Sequence, residues 1–134
     1  MFKIIPFLFI LLNLPLAQDS GASSVRVVNR VNNSTDEIKT LDNLRGVYVS
    51  VNDVSRILSA RKPYINAERL KMVIYLGNNR LKISGNSSYV LVDERIYQIP
   101  SYAIWNNDDI YVQAEAFFNL IRETTMPGIG YDSR

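Results

Sequence analysis

Residues Val47 to Leu58 read VYVSVNDVSRIL, and this stretch decides the fold class. The β-branched alternation of Val47, Val49 and Val51 predicts a strand with those side chains on one face. Ser50, followed three residues later by Asp53, has capping-box spacing. A serine oxygen there can accept one of the unpaired N–H groups of a first helical turn. Val51, Val54, Ile57 and Leu58 then recur at helical spacing as one apolar stripe, which has to stop before Pro63. A strand feeding an amphipathic helix predicts a helix laid on a sheet. Residues Ile110 to Ile121, IYVQAEAFFNLI, align with this stretch without a gap at an offset of 63 positions. Two readings of the match stay open. Any strand leading into an amphipathic helix looks like this, or the chain holds a duplicated unit whose strands deliver both helices onto one sheet.

Working outward, Lys71 to Leu76 sets Met72, Ile74 and Leu76 against Val73 and Tyr75, the alternation of a half-buried strand. Gly77-Asn-Asn79 is turn chemistry, and Arg80 to Ser84 is the returning strand. Gly85 to Ser88 makes the next turn. Tyr89 to Val92 and Arg95 to Ile99 form a hairpin around Asp93-Glu94. On the other side, Glu37 to Leu41 is a strand that reaches Val47 through the turn Asp42 to Gly46. Ile110 to Val112 is the last strand, and Ala114, Phe117, Phe118 and Ile121 are the apolar face of a closing helix. The fold class is α+β: a small antiparallel β-sheet of five or more short strands packed around one or two α-helices.

The first segment, MFKIIPFLFILLNLPL, places Lys3 before an apolar run from Ile4 to Leu12. That run is shorter than the roughly 20 residues a membrane span needs. Asn13, Pro15, Ala17 and polar QDSGASS follow, which is the layout of a secretory signal peptide over residues 1–17, cleaved after Ala17 or Ala22. An uncleaved anchor or a buried helix is the other reading, and Pro6 and Pro15 suit neither. Residues 18–36, dominated by Ser, Asn, Gly and Val, read as a flexible leader in which only Val25 to Val28 resembles a strand. The folded domain is expected over residues 37–123. The tail, 124–134, has a turn and the opening of another strand, cut short. A small exported domain without disulfides points to a bacterial periplasm, cell envelope or extracellular space, with the membrane met only through the signal peptide. The sequons at Asn32, Asn33 and Asn86 are read as polar loops.

The 134 residues include fifteen Lys or Arg, thirteen Asp or Glu, no His and no Cys. The two absences remove the Cys nucleophile, the Ser-His triad and nearly every zinc or copper site. A net charge of +2 does not argue for a nucleic-acid or polyanion partner, which needs clustered basic residues. Adjacent carboxylates at Asp93-Glu94 and Asp108-Asp109 are the residue type for glycoside hydrolysis or Ca²⁺ binding. Both pairs fall in predicted turns without EF-hand spacing, so they are read as turn formers. Gly128-Ile-Gly130 precedes no helix and makes no phosphate cradle. Ser87, Ser88 and Ser101 have neither a His base nor a neighbouring Lys. Tyr48, Tyr75, Tyr89, Tyr97, Tyr102, Tyr111 and Trp105 can stack on sugar or peptide where exposed, but half-buried strands prefer the same residues, and packing is the favoured reading. No catalytic, cofactor-binding or metal residue is assigned, and no cofactor is expected.

Four segments carry a resemblance. Residues 46–58 (GVYVSVNDVSRIL), 71–77 (KMVIYLG), 90–100 (VLVDERIYQIP) and 109–118 (DIYVQAEAFF) resemble the copper amine oxidase-like N-terminal domain. The version they look like stands after the signal peptide of bacterial N-acetylmuramoyl-L-alanine amidases. The resemblance spans residues 37–121 and rests on a pattern of strands and helices. It implies a small antiparallel sheet wrapped around a helix, serving as a non-catalytic accessory or stalk module, with no copper. Where that family often has Pro-Leu after the second Tyr-Val, this chain has Gln113-Ala114. The expected function is therefore an accessory domain of a secreted cell-envelope protein, the N-terminal part of a peptidoglycan amidase whose catalytic domain follows Arg134. Expected partners are peptidoglycan or an envelope protein, and no nucleic acid. The alternative is a free-standing structural or protein-interaction module that pairs through its sheet edges. A carboxylate-dependent hydrolase of wall glycans is a third reading, and it requires loss of activity in Asp108→Asn or Asp93→Asn.

Overall fold

The computed structural model describes residues 24–43, 46–59 and 61–133; the signal-peptide assignment lies outside them. In chain order the elements are β1 (Ser24–Asn29), β2 (Ser34–Asn43), β3 (Gly46–Ser50), α1 (Val51–Leu58), β4 (Tyr64–Asn66), β5 (Lys71–Leu76) and β6 (Asn79–Ser84). Then come β7 (Tyr89–Val92), β8 (Arg95–Gln98), β9 (Ile104–Trp105), β10 (Ile110–Gln113), α2 (Ala114–Thr124) and β11 (Ile129–Ser133). The class is α+β, with every strand pairing antiparallel. One sheet has the order β11-β1-β2-β3-β10-β9, and the other is the meander β4-β5-β6-β7-β8. The long β2 holds the first sheet together: residues 34–39 ladder with β1 and residues 40–43 with β3.

Both sheets feed a single core. Met72, Ile74, Leu76, Leu81, Ile83, Val90 and Val92 line the inner face of the meander, and Val25, Val27, Ile38, Val49 and Val112 come from the other sheet. α1 lies against β3 and β10 of one sheet and β5 of the other, whereas α2 packs on β3, β10 and β11. No helix among the described residues is long and apolar enough to cross a membrane.

The matched units meet. β3 and β10 are neighbours, and Val49 pairs with Val112, its own counterpart at the 63-residue offset. On either side, Tyr48 pairs with Gln113 and Ser50 with Tyr111, so the pairing is reciprocal. A local pseudo-twofold axis therefore passes between Val49 and Val112, and each strand passes its helix to the same sheet.

Several expectations need correction. Residues 24–36 are not a flexible leader: β1 sits between β11 and β2, with Val25 and Val27 buried on the core side. The end of the chain supplies the partner, as Ile129 to Ser133 pair with Asn29 to Val25 and complete that ladder. Composition pointed to a loop because Asn29, Asn32, Asn33 and Ser34 crowd around the tight turn at residues 30–33. There the Asn29 and Asn32 side chains accept hydrogen bonds from the backbone N–H of Val31 and Ser34. Val51 opens the helix instead of ending the strand, and Tyr48 and Val49 are both buried. The short strands β4 and β9 were not expected from the sequence. Asn32, Asn33 and Asn86 all stand in exposed turns.

Candidate functional site: a basic, tyrosine-bearing sheet face

The meander buries one face, so its period of two turns the other residues outward. β5 alternates Met72, Ile74 and Leu76 inward with Lys71, Val73 and Tyr75 on the opposite side. β6 does the same, with Leu81 and Ile83 inward and Arg80 and Lys82 outward. Register sets these residues in rows across the sheet. One row runs Tyr64, Val73, Lys82, Leu91, Ile96; beside it stand Asn66, Lys71 and Ser84, and on the other side Tyr75 and Arg80.

Two connections add cations to this face. After α1, Arg61 donates its backbone N–H to Ser59 Oγ, and its guanidinium lies 3.8 Å over the Tyr75 ring centre. Such a stack is worth about 0.5–1 kcal/mol at an exposed site. In the turn before β5, Arg69 donates its N–H to Asn66 Oδ1, and Leu70 takes a left-handed backbone, φ 54°. The result is a shallow cavity of about 320 Å³ whose walls include Tyr64, Arg69, Lys71, Tyr75, Arg80 and Lys82. A second hollow of about 540 Å³ adjoins it through the Arg61–Tyr75 stack, with Arg56, Arg61 and Lys62 in its walls.

The charge is concentrated here. Between Arg56 and Lys82 the chain holds seven cations and one carboxylate, Glu68. Among the described residues, no carboxylate lines either hollow. Among the described residues, Arg56 pairs with Asp53 at 3.4 Å and Arg80 with Glu94 at 3.5 Å, both on the surface, where such pairs contribute little. Arg61, Lys62, Arg69, Lys71 and Lys82 make no ion pair there. Like charges held by a rigid sheet raise the local potential and draw in anions, within the screening length of the salt.

The carboxylate pairs flagged from sequence sit in separate hairpins, and their hydrogen bonds are structural. Asp93 and Glu94, with φ of 48° and 81°, are the two-residue turn between β7 and β8. The Asp93 carboxylate accepts from the Arg80 N–H at 2.8 Å and from Asn79 Nδ2, which holds it below the usual carboxylate range. Asn107 and Asp108, with φ of 53° and 58°, turn the chain between β9 and β10. Asp109 points back to α1. Its Oδ1 accepts from the N–H of Asn52 at 3.1 Å and of Ile110 at 2.7 Å, while Ser50 Oγ donates to Oδ2. Burial pushes the Asp109 carboxyl above its ordinary value, opposed by those three donors. Ser50 Oγ also accepts from the Asp53 N–H at 3.0 Å, half of the expected capping box; the Asp53 side chain turns to Arg56 instead.

The other candidates are similarly absorbed into the fold. The Gly128 carbonyl accepts from the Arg30 N–H at 2.9 Å, and a Cβ on Gly128 would come within 2.9 Å of Val31. Ser87 Oγ accepts from the Tyr89 N–H, and the Ser88 carbonyl from the Ile99 N–H. Gly85 lets this turn lie against β9, since a Cβ there would meet the Trp105 Cβ at 2.8 Å. Among the described residues, no group of three or more Asp or Glu is placed to hold a metal ion. The aromatics divide: Tyr48 is core, Tyr75, Tyr97, Tyr111 and Trp105 are half-buried, and Tyr89 and Tyr102 are exposed. Tyr64, 58% exposed, was not singled out from sequence, nor were the cations around it. The signal was present: whole-chain balance hides a segment with seven cations, and strand alternation puts Lys71, Arg80 and Lys82 on the face opposite the core. No family model, curated protein or solved structure matches this chain.

Proposed function

We propose that this chain is a non-catalytic accessory domain of an exported bacterial cell-envelope protein, the front part of a peptidoglycan amidase. In this reading the basic, tyrosine-bearing face of the meander seats the protein on wall material. One observation carries the binding role: the hollow on the outer face of β4–β6 is lined by Arg69, Lys71, Arg80 and Lys82 together with the open ring of Tyr64. The apolar leader and the resemblance to amidase-associated domains supply the location. Sedimentation with isolated peptidoglycan sacculi tests it. The folded chain is expected in the pellet, above an unrelated protein of equal size and charge. Equal pelleting of the two overturns the wall-binding role.

A different observation favours the alternative of a protein-interaction module. β8 is an edge strand, and Ile96 on it is 66% exposed beside exposed Tyr89 of the same sheet. Sheet edges with apolar side chains recruit further strands. Light scattering at rising protein concentration separates the two, since a strict monomer defeats self-pairing through β8.

A further inference from the structure

Resting on the wall-binding reading above, we infer that the meander face recognises a phosphodiester-linked polyol polymer rather than the uncharged glycan strands of the wall. The cations are spaced by the sheet itself. Lys82 and Arg80 are alternate residues of β6, about 7 Å apart. Lys71 lies diagonally across from Lys82, one strand over and one row along, about 7–8 Å away. Arg61 continues the line over Tyr75. A flexible chain with one negative charge per short repeat, such as a polymer of glycerol phosphate, presents phosphates at a comparable interval and can meet these cations in succession. Each contact would be a charge-assisted hydrogen bond; among the described residues Lys71, Lys82 and Arg61 make no ion pair, and Arg80 is shared with the exposed Glu94 at 3.5 Å.

The rings argue against a nucleic acid. Single-strand readers offer successive open aromatic faces on which bases stack. Here one face of the Tyr75 ring is taken by Arg61, and Tyr64 is the open ring of this cavity. One ring suits the edge of a polyol or a sugar substituent, not a run of bases.

The test uses the folded chain and its Lys71→Glu/Lys82→Glu variant, with Lys71→Gln/Lys82→Gln as a milder second variant should charge reversal prevent folding. Probes are poly(glycerol phosphate), a single-stranded oligonucleotide of equal charge, and sacculi before and after removal of their phosphodiester polymer. Poly(glycerol phosphate) is expected to bind, to weaken as salt rises, and to lose about tenfold or more in affinity in the variant. Stripped sacculi are expected to pellet the protein poorly. If stripped and intact sacculi pellet it equally and the variant binds as well as the parent, the phosphodiester inference fails while wall binding stands. If the free polymer binds but neither form of sacculi does, the inference holds and the wall-binding reading fails. Equal or tighter binding of the oligonucleotide overturns the inference.

Discussion

Ser55 and Phe118 occupy matching positions in the two strand–helix units, and both are fully buried. Phe118 stacks on Tyr131 of β11, with ring centres 5.3 Å apart and planes within 9°, and meets Phe117 edge-on. The Ser55 hydroxyl is buried with no hydrogen-bond partner among the described residues. The helix starts differ in the opposite sense. α1 is capped by Ser50, with the Asp109 carboxylate on the N–H of Asn52, while the matching Gln113 makes no side-chain cap to α2. At the position that matches Asp109 the first unit has Gly46, with φ 119°. One local plan is thus stabilised in two ways. The eight-residue α1 depends on its cap, and the eleven-residue α2 depends on burying Ala114, Phe117, Phe118, Leu120 and Ile121.

That contrast breaks most easily at the aromatic stack. Phe118→Ala should cost about 3–5 kcal/mol in urea unfolding, the usual price of an emptied aromatic site. A loss below about 1 kcal/mol would show that α2 does not depend on this burial. Next comes the cap: Ser50→Ala should cost about 1–2 kcal/mol, because it removes the acceptor for Asp53 N–H and a donor to Asp109 together. An unchanged unfolding midpoint would remove the cap from the account of α1.

Acid separates the two carboxylates by sign. Asp109 has a folded-state pKa raised above its ordinary 3.8, so the folded chain holds that proton more tightly than the unfolded chain does. Its contribution to stability should therefore rise as pH falls through the folded value toward 3.8. The parent should gain on Asp109→Asn over that window. Asp93, held below 3.8, should act oppositely: its contribution is present above 3.8 and fades as pH falls through the lower folded value. Unfolding midpoints of the parent, Asp109→Asn and Asp93→Asn across this range give the comparison, and parallel curves would refute it. The smallest effect belongs to Ser55→Ala, which removes an unpaired buried hydroxyl and should gain up to about 1 kcal/mol. A loss of similar size would mean that the hydroxyl finds a partner.

The hairpins of the meander were legible because turn and strand chemistry are local. Asp93-Glu94 breaks the chain between two short apolar runs, and Met72, Ile74 and Leu76 announce the buried face. β1 and β11 were harder. Neither has more than a few strand-forming residues, and each is held by the other across a hundred positions of chain. The binding face was legible in part. Alternation orders Lys71, Arg80 and Lys82 within their strands, but only cross-strand register brings them beside Tyr64, and only the path after α1 carries Arg61 over Tyr75.

By itself the sequence determined the α+β class, the strand-into-helix units, the inward face of each meander strand and the carboxylates as turn residues. These rest on periodicity, capping and turn chemistry, which act over a few neighbouring residues. The tertiary structure decided that β1 and β11 close the first sheet, that Val49 and Val112 sit on a pseudo-twofold axis, and that scattered cations form one face. Those outcomes depend on register between distant strands. Register is set by the shared core that all of them must bury, not by any one segment.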